Sequence, residues 1–171
     1  MSLGVASRGY LRALAHPLRL RMLSLLTGSV MSAAELAREL DVAHGSASYH
    51  LRQLEQAGLV EVAEERSHRG GQERRYRVRP TARIPAAAAP DDRALLAEAL
   101  GAELRRRATY ADPDAPGTTA DAELWVDPAV WADLCDRVRA AMTDLHAAAR
   151  PLREPGSRRV GATVALFGMT P

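Results

Sequence analysis

Residues 33–79 read AAELARELDVAHGSASYHLRQLEQAGLVEVAEERSHRGGQERRYRVR, and this stretch decides the fold. Ala34, Leu36, Ala37 and Leu40 recur at helical spacing, so residues 33–40 form a short amphipathic helix. Asp41 and Val42 close it, and Ala43, His44 and Gly45 make a tight turn. A second helix runs from 44 to 57, with Ala47, Leu51, Leu54 and Leu59 toward the core. Ala43 is a poor N-cap for it, and Gly58 stands just past its end, where glycine is favoured. Its other face carries Gly45, Ser48, Tyr49, Arg52 and Gln56. Small side chains allow close approach to a groove, and the donors beside them suit base edges or phosphates.

A hairpin follows. Leu59–Ala63 and Arg75–Val78 alternate as strands do, and Gly70-Gly71 permits positive φ at the tip. Arg66, Arg69, Arg74, Arg75 and Arg77 crowd this small element. That density predicts a wing that touches phosphate, and arginine also suits a narrow minor groove. A helix presented by a turn can enter a major groove while a basic hairpin reaches the flanking backbone.

Working outward, residues 6–15 predict a first helix with Tyr10, Leu11 and Leu14. Pro17 opens a second helix, striped by Leu18, Met22, Leu23, Leu25 and Leu26 and ended by Gly28. Residues 80–90 (PTARIPAAAAP) break any element and read as a linker between residues 1–80 and 91–171. Asp91 and Asp92 begin a further helix and Arg105–Arg107 end it, both favourable to the helix dipole. Residues 112–119 form a loop and Ala122–Val126 a strand. Asp127 caps, and Pro128 opens, a long helix to about Arg150, striped by Trp131, Leu134, Cys135, Val138, Met142 and Leu145. Val160–Phe167 is a second strand. The expected fold is thus α+β and mostly helical: a winged helix-turn-helix domain followed by a helix-strand-helix-strand region. Two strands are marginal alone, so that small sheet must pack on helices or be extended by a partner subunit. Trp125 and Trp131 either frame a small apolar ligand pocket or fill core.

The 13 arginines of residues 1–85 outnumber 8 acidic residues, whereas residues 86–171 hold 10 arginines against 13 acidic residues. The basic half coincides with the helix-turn-helix, which fits a polyanion partner. Lysine is absent, a sign of GC-rich coding more than of chemistry. With the single Cys135 no intramolecular disulfide forms. No signal-peptide pattern or long apolar run is present, so a soluble cytoplasmic protein without a membrane partner is expected.

Other chemistry finds little support. His16, His44, His50, His68 and His146 pair with neither each other nor Cys135 at ligand spacing, so no metal site is expected. Cys135 lies on an apolar stripe, where cysteine is usually inert packing. Asp41, Ser48 and His50 on consecutive turns cannot converge as a catalytic triad. Gly70-Gly71 lacks the lysine and helix of a phosphate loop. Neither an enzyme nor a cofactor is expected.

Four segments carry a family resemblance: Ala13-Leu14-Ala15-His16-Pro17-Leu18-Arg19-Leu20-Arg21-Met22-Leu23, Glu35-Leu36-Ala37, Ser48-Tyr49-His50-Leu51 and Ala57-Gly58-Leu59-Val60. Together they make residues 8–80 resemble the ArsR-type winged-helix repressors. The resemblance implies a homodimeric transcriptional regulator on a palindromic double-stranded DNA operator. It implies that His44, Gly45, Ser48 and Tyr49 face the groove, with Arg52 toward phosphate and His50 as a packing and positioning residue. With Ser46 beside them, and Arg66, Arg69 and Arg74 from the wing, these make the expected DNA-binding set. It also implies that the helix after the wing pairs across a dimer axis, here through Leu95, Leu96, Leu100 and Leu104. The alternative for that helix is packing within its own subunit. The cysteine and dimer-helix ligand sets of the metal-sensing members are missing, which leaves an organic effector in the C-terminal region, or none. The rival reading is a protein-interaction module that keeps the winged-helix shape.

Overall fold

The computed structural model describes residues 10–68, 71–79 and 90–169. Helix α1 is described over residues 10–14, and α2 spans Pro17–Gly28. A short strand β1 (Met31–Ser32) leads into α3 (Ala33–Leu40) and α4 (His44–Gln56). Strands β2 (Val60–His68) and β3 (Gly71–Val78) form the hairpin, and α5 (Pro90–Ala108) and α6 (Pro128–Ala147) complete the order. The three strands make an antiparallel sheet ordered β1-β3-β2.

Each element of the head has a visible local cause. Ser32 Oγ accepts the Glu35 N–H at 3.3 Å, and Glu35 Oε2 accepts the Ser32 N–H at 2.8 Å. This reciprocal capping box satisfies two donors that a helix start leaves open. Asp41 ends α3 in the left-handed region at φ 53°, a conformation aspartate tolerates better than most side chains. The end of α4 is a Schellman motif. Gly58 N–H reaches Glu55 O and Leu59 N–H reaches Leu54 O, both at 2.9 Å, with Gly58 at φ 71° and Leu54 and Leu59 buried.

The apolar stripes then meet. Leu18, Met22 and Leu26 of α2, Leu36 and Ala37 of α3, and Ala47, Leu51 and Leu54 of α4 join Tyr10, Ala13 and Leu14 in one buried cluster. Met31, Leu59, Val60 and Tyr76 close it from the sheet side. Burying a leucine of this kind contributes about 1.5–3 kcal/mol, so apolar packing seats α4 on the rest of the cluster.

Helix α5 lies on the same body by different means. Asp92 and Glu103 are each 1% exposed, with Ala99 between them at 4%. Arg12 Nε donates to Asp92 at 2.9 Å, and Glu103 is met by Arg106 at 2.7 Å and by Arg21 and Arg107 at 3.7 Å. Buried carboxylates persist only with such partners. A C-terminal segment returns to the head. The Leu152 N–H reaches Ser29 Oγ at 3.3 Å, and Arg153 grips Glu39 through both Nη atoms at 3.0 and 2.9 Å.

Several sequence expectations change. Helix α4 starts at His44, as the 44–57 reading has it, so of Ala43, His44 and Gly45 only Ala43, the extended N-cap, stays in the connecting turn. The hairpin strands run longer than their apolar alternation. Glu61 faces Arg77 and Glu65 faces Arg74 directly across the ladder, and these ion pairs carry it into polar sequence. Ala63 is an extra residue between Val62 and Glu64, a bulge that bends the wing. Helix α6 stops at Ala147, short of Arg150; Pro151 disfavours helix in the residue before it. Residues 122–126 and 160–167 are not strands in this chain. Among the described residues no strand pairs with them, and Arg107 instead donates to Ala162 O at 2.8 Å. The expected C-terminal sheet is therefore corrected to helix α6 flanked by unpaired segments. Residues 6–9, the linker at 80–89, Arg69 and Gly70 lie outside the described residues.

Candidate nucleic-acid interface

The face of α4 opposite its buried stripe is solvent-facing. His44, Gly45, Tyr49, Arg52 and Gln56 are exposed, and Ser46 and Ser48 are half-buried. Steps of four and three positions align 45, 49, 52 and 56 on one side of a helix. Tyr49 is 51% exposed, unusual for so large a ring on a packed helix. The Arg52 guanidinium lies along the helix, its Nε donating to Ser48 O at 3.4 Å. Ala43 makes no side-chain cap to the first turn of α4.

The wing stands beside this face. Ser48, Arg52, Glu55 and Gln56 from α4, Arg74 and Tyr76 from β3, and Ala33 and Leu51 line a groove of about 360 Å³. Tyr76 anchors β3 in the core at 8% exposure. Next to it, Arg75 is turned inward, donating to Glu35 Oε1 at 2.9 Å and to Val30 O at 2.6 Å.

These residues form a helix-turn-helix with an attached antiparallel wing. Residues 14–63 match the family model of a helix-turn-helix domain. The match runs from α1 into β2, so it takes in the core stripes, the turn and the exposed face of α4. A solved structure, HlyU from Vibrio cholerae N16961, aligns at 24% identity over 65% of this chain and 100% of its own, with a TM-score of 0.38. No curated protein matches the chain.

Beyond the helix-turn-helix domain match, the wing's electrostatics are milder than its arginine count predicts. Arg66 pairs with Glu64 at 2.8 Å, Arg74 with Glu65 at 3.1 Å and Arg77 with Glu61 at 2.7 Å. Glu61 also meets Arg79 at 3.6 Å. Arg66, Arg74 and Arg77 remain about half exposed, and such surface pairs are worth only about 0–1 kcal/mol. A phosphate can therefore recruit these guanidiniums at little cost. Arg75 is different: its guanidinium braces the wing to Glu35 of α3 and to Val30 O just before β1.

Glu35 is the acceptor in that brace. Burial pushes its carboxyl up, but the Ser32 N–H, the Arg75 hydrogen bond and the Arg75 charge outweigh this and hold it below the ordinary carboxylate range. The Ser32-Ala33-Ala34-Glu35 spacing is itself a capping-box signature, so the helix start was readable from sequence. Its link to Arg75 was not, because it joins residues forty positions apart.

The expected dimer leucines do not share a face. At about 100° per residue, Leu96 falls with Asp92, Ala99 and Glu103 on the packed side of α5, and it lies against the core. Leu95 and Leu104 flank that side in opposite directions and are 47% and 54% exposed, with Leu100 half-buried. Trp125 is 91% exposed and Trp131 half-buried. Helix α6 contains no buried residue; its half-buried positions are Trp131, Cys135, Val138 and Met142. Among the described residues no cluster of three or more His, Cys, Asp or Glu could hold a metal ion. None of the helices there is long and apolar enough to cross a membrane.

Proposed function

We propose that this chain is a sequence-specific, double-stranded-DNA-binding transcriptional regulator of the ArsR-like winged-helix kind. The observation that carries this reading is the exposed face of α4, where Ser48, Tyr49 and Arg52 stand beside the arginines of the wing. In this reading α4 lies in the major groove, with Ser46, Ser48 and Tyr49 toward base edges. Arg52, Arg66, Arg69 and Arg74 take phosphates, and His44 and Gly45 allow close approach.

The protein acts as a cytoplasmic homodimeric repressor on a palindromic operator, since one helix of this length reads only a few base pairs. The outward side of α5 at Leu100 and Leu104, together with the uncovered stripe of α6, gives a mate something to bury. Control comes from an organic effector in the C-terminal region, near Trp125 and Trp131, and not from a metal or a catalytic step.

The experiment is enrichment of duplexes from a random-sequence pool, followed by affinity titration at several salt concentrations. Enrichment of a two-fold symmetric sequence supports the reading. A protein that retains all duplexes equally, or none, refutes sequence-specific regulation.

A further inference from the structure

Sequence reading requires that α4 be held at one rotation against its scaffold. One contact between α4 and that scaffold is neither aliphatic packing nor an ion pair. His16 is the N-cap of α2, and His50 lies on α4; their rings are 4.5 Å apart, centroid to centroid, and tilted by 44°. His16 Nδ1 accepts the Leu18 N–H at 3.1 Å. Only an unprotonated Nδ1 can do so, which places the proton of the neutral ring on Nε2. His50 also meets the Tyr49 ring edge-on at 5.1 Å and 76°. The contacts therefore run from the cap of α2, through two imidazoles, to the half-exposed tyrosine on the groove face.

The surroundings are cationic. Arg19 and Arg21 of α2 act on His16, and Arg19 also acts on His50 and Tyr49. Arg19 is tied to α1 by Nη2 donating to Arg12 O at 2.6 Å. Burial first holds both imidazoles below their ordinary value of about 6.5, followed by Arg19 and Arg21 for His16 and by His16 and then Arg19 for His50. His50 Nδ1 is buried with no hydrogen-bond partner among the described residues. An apolar ring would fill this space without burying an unpaired nitrogen, so packing alone does not account for histidine here.

We propose that His16 and His50 are positioning residues for sequence recognition: the tilted contact of their neutral rings fixes the rotation of α4 and the side-chain orientation of Tyr49. This rests on the DNA-reading role proposed above. Protonation of His16 removes the acceptor that caps α2. Protonation of both rings sets two cations 4.5 Å apart beside Arg19. Acid then erodes discrimination between sequences before it erodes adhesion, because adhesion draws on arginines that do not titrate.

Two variants separate the parts. His16→Asn keeps a good N-cap and removes the ring; His50→Phe keeps a ring and removes the titration. In the free protein, imidazole titration followed by NMR is expected to show His50 moving up toward its ordinary value when His16 becomes asparagine. On DNA, the probes are a duplex enriched by the wild type and a scrambled duplex of equal length. The wild-type affinity ratio between them is expected to fall about tenfold from pH 8 to pH 5.5, a typical size for coupling between touching side chains. His50→Phe should make that dependence shallower. His16→Asn should lower the ratio at every pH while leaving scrambled-duplex affinity and melting temperature unchanged. A wild-type ratio flat with pH overturns the proposal, as does a full ratio in His16→Asn or a His50 titration indifferent to that change. If the wild type enriches no duplex, the DNA-reading role falls and takes this one with it; enrichment with unaltered variants overturns this one alone.

Discussion

Arg75 Nη1 donates to Glu35 Oε1 at 2.9 Å, across forty positions of sequence, while Glu35 Oε2 accepts the Ser32 N–H at 2.8 Å. One carboxylate therefore starts α3 and holds the wing to it. Arg75→Ala strips Glu35 of its counter-charge and leaves Val30 O without its donor. A loss of about 1–3 kcal/mol in urea unfolding is expected, the usual size for breaking a partly buried charged hydrogen bond. Arg74→Ala, which breaks an exposed pair, should cost at most about 0.5–1 kcal/mol. Equal losses from the two variants would show that Arg75 braces nothing.

Stability should also carry the signature of Glu35 in its pH dependence. The folded carboxyl sits below its ordinary value of 4.5, so near that pH the unfolded chain binds more protons than the folded one. The contribution is complete above about pH 4.5 and is lost as pH falls through the lower folded value. Glu35→Gln removes it. Urea midpoints measured from pH 7 down to pH 3 should start apart and converge for wild type and variant. A gap that stays constant with pH would exclude the carboxylate as its source.

The wing arginines should act on affinity without acting on sequence preference. Arg66→Ala and Arg74→Ala are each expected to weaken enriched and scrambled duplexes alike, and to reduce the slope of log affinity against log salt by about one. Tyr49→Ala should instead lose affinity for the enriched duplex only. If Tyr49→Ala weakens both duplexes by the same factor, the tyrosine does not read bases.

Gly28 closes α2 against the backbone of the C-terminal segment. A Cβ there would collide with Arg150 O and stand 3.0 Å from Arg150 C. Gly28→Ala is expected to cost about 1–3 kcal/mol by overpacking and to free the segment that carries Arg153 to Glu39. Trypsin cleavage after Arg153, followed by mass spectrometry, should accelerate. Unchanged cleavage would mean the segment is held elsewhere.

The head was legible because its signals are local and repeated. Ala47, Leu51 and Leu54 alternate with Ser48, Tyr49 and Arg52 at helical spacing, and both faces of α4 follow from that. What escaped was set by partners distant in sequence. Nothing in the hairpin's sequence says that Arg75 turns inward while Arg74 turns out. The inward turn of Arg75 is set by its partners, Glu35 Oε1 and Val30 O, which lie forty and forty-five positions away. The unpaired buried nitrogen of His50 and its contact with His16 are likewise invisible to periodicity. In α5 the leucines suggested an apolar seam, but the buried positions are Asp92, Ala99 and Glu103, chosen by arginines on α1 and α2. The alternation in Val160–Phe167 satisfies a strand pattern, yet a strand also needs a neighbour to pair with.

The central claim is that α4 and the wing dock on duplex DNA. It is tested most directly by fluorescence anisotropy of a labelled duplex across a salt series. The account predicts tight binding at low ionic strength, with log affinity falling linearly against log salt at a slope of about −0.9 per phosphate neutralised. Failure to bind any duplex at the lowest ionic strength, or an affinity indifferent to salt, would contradict it.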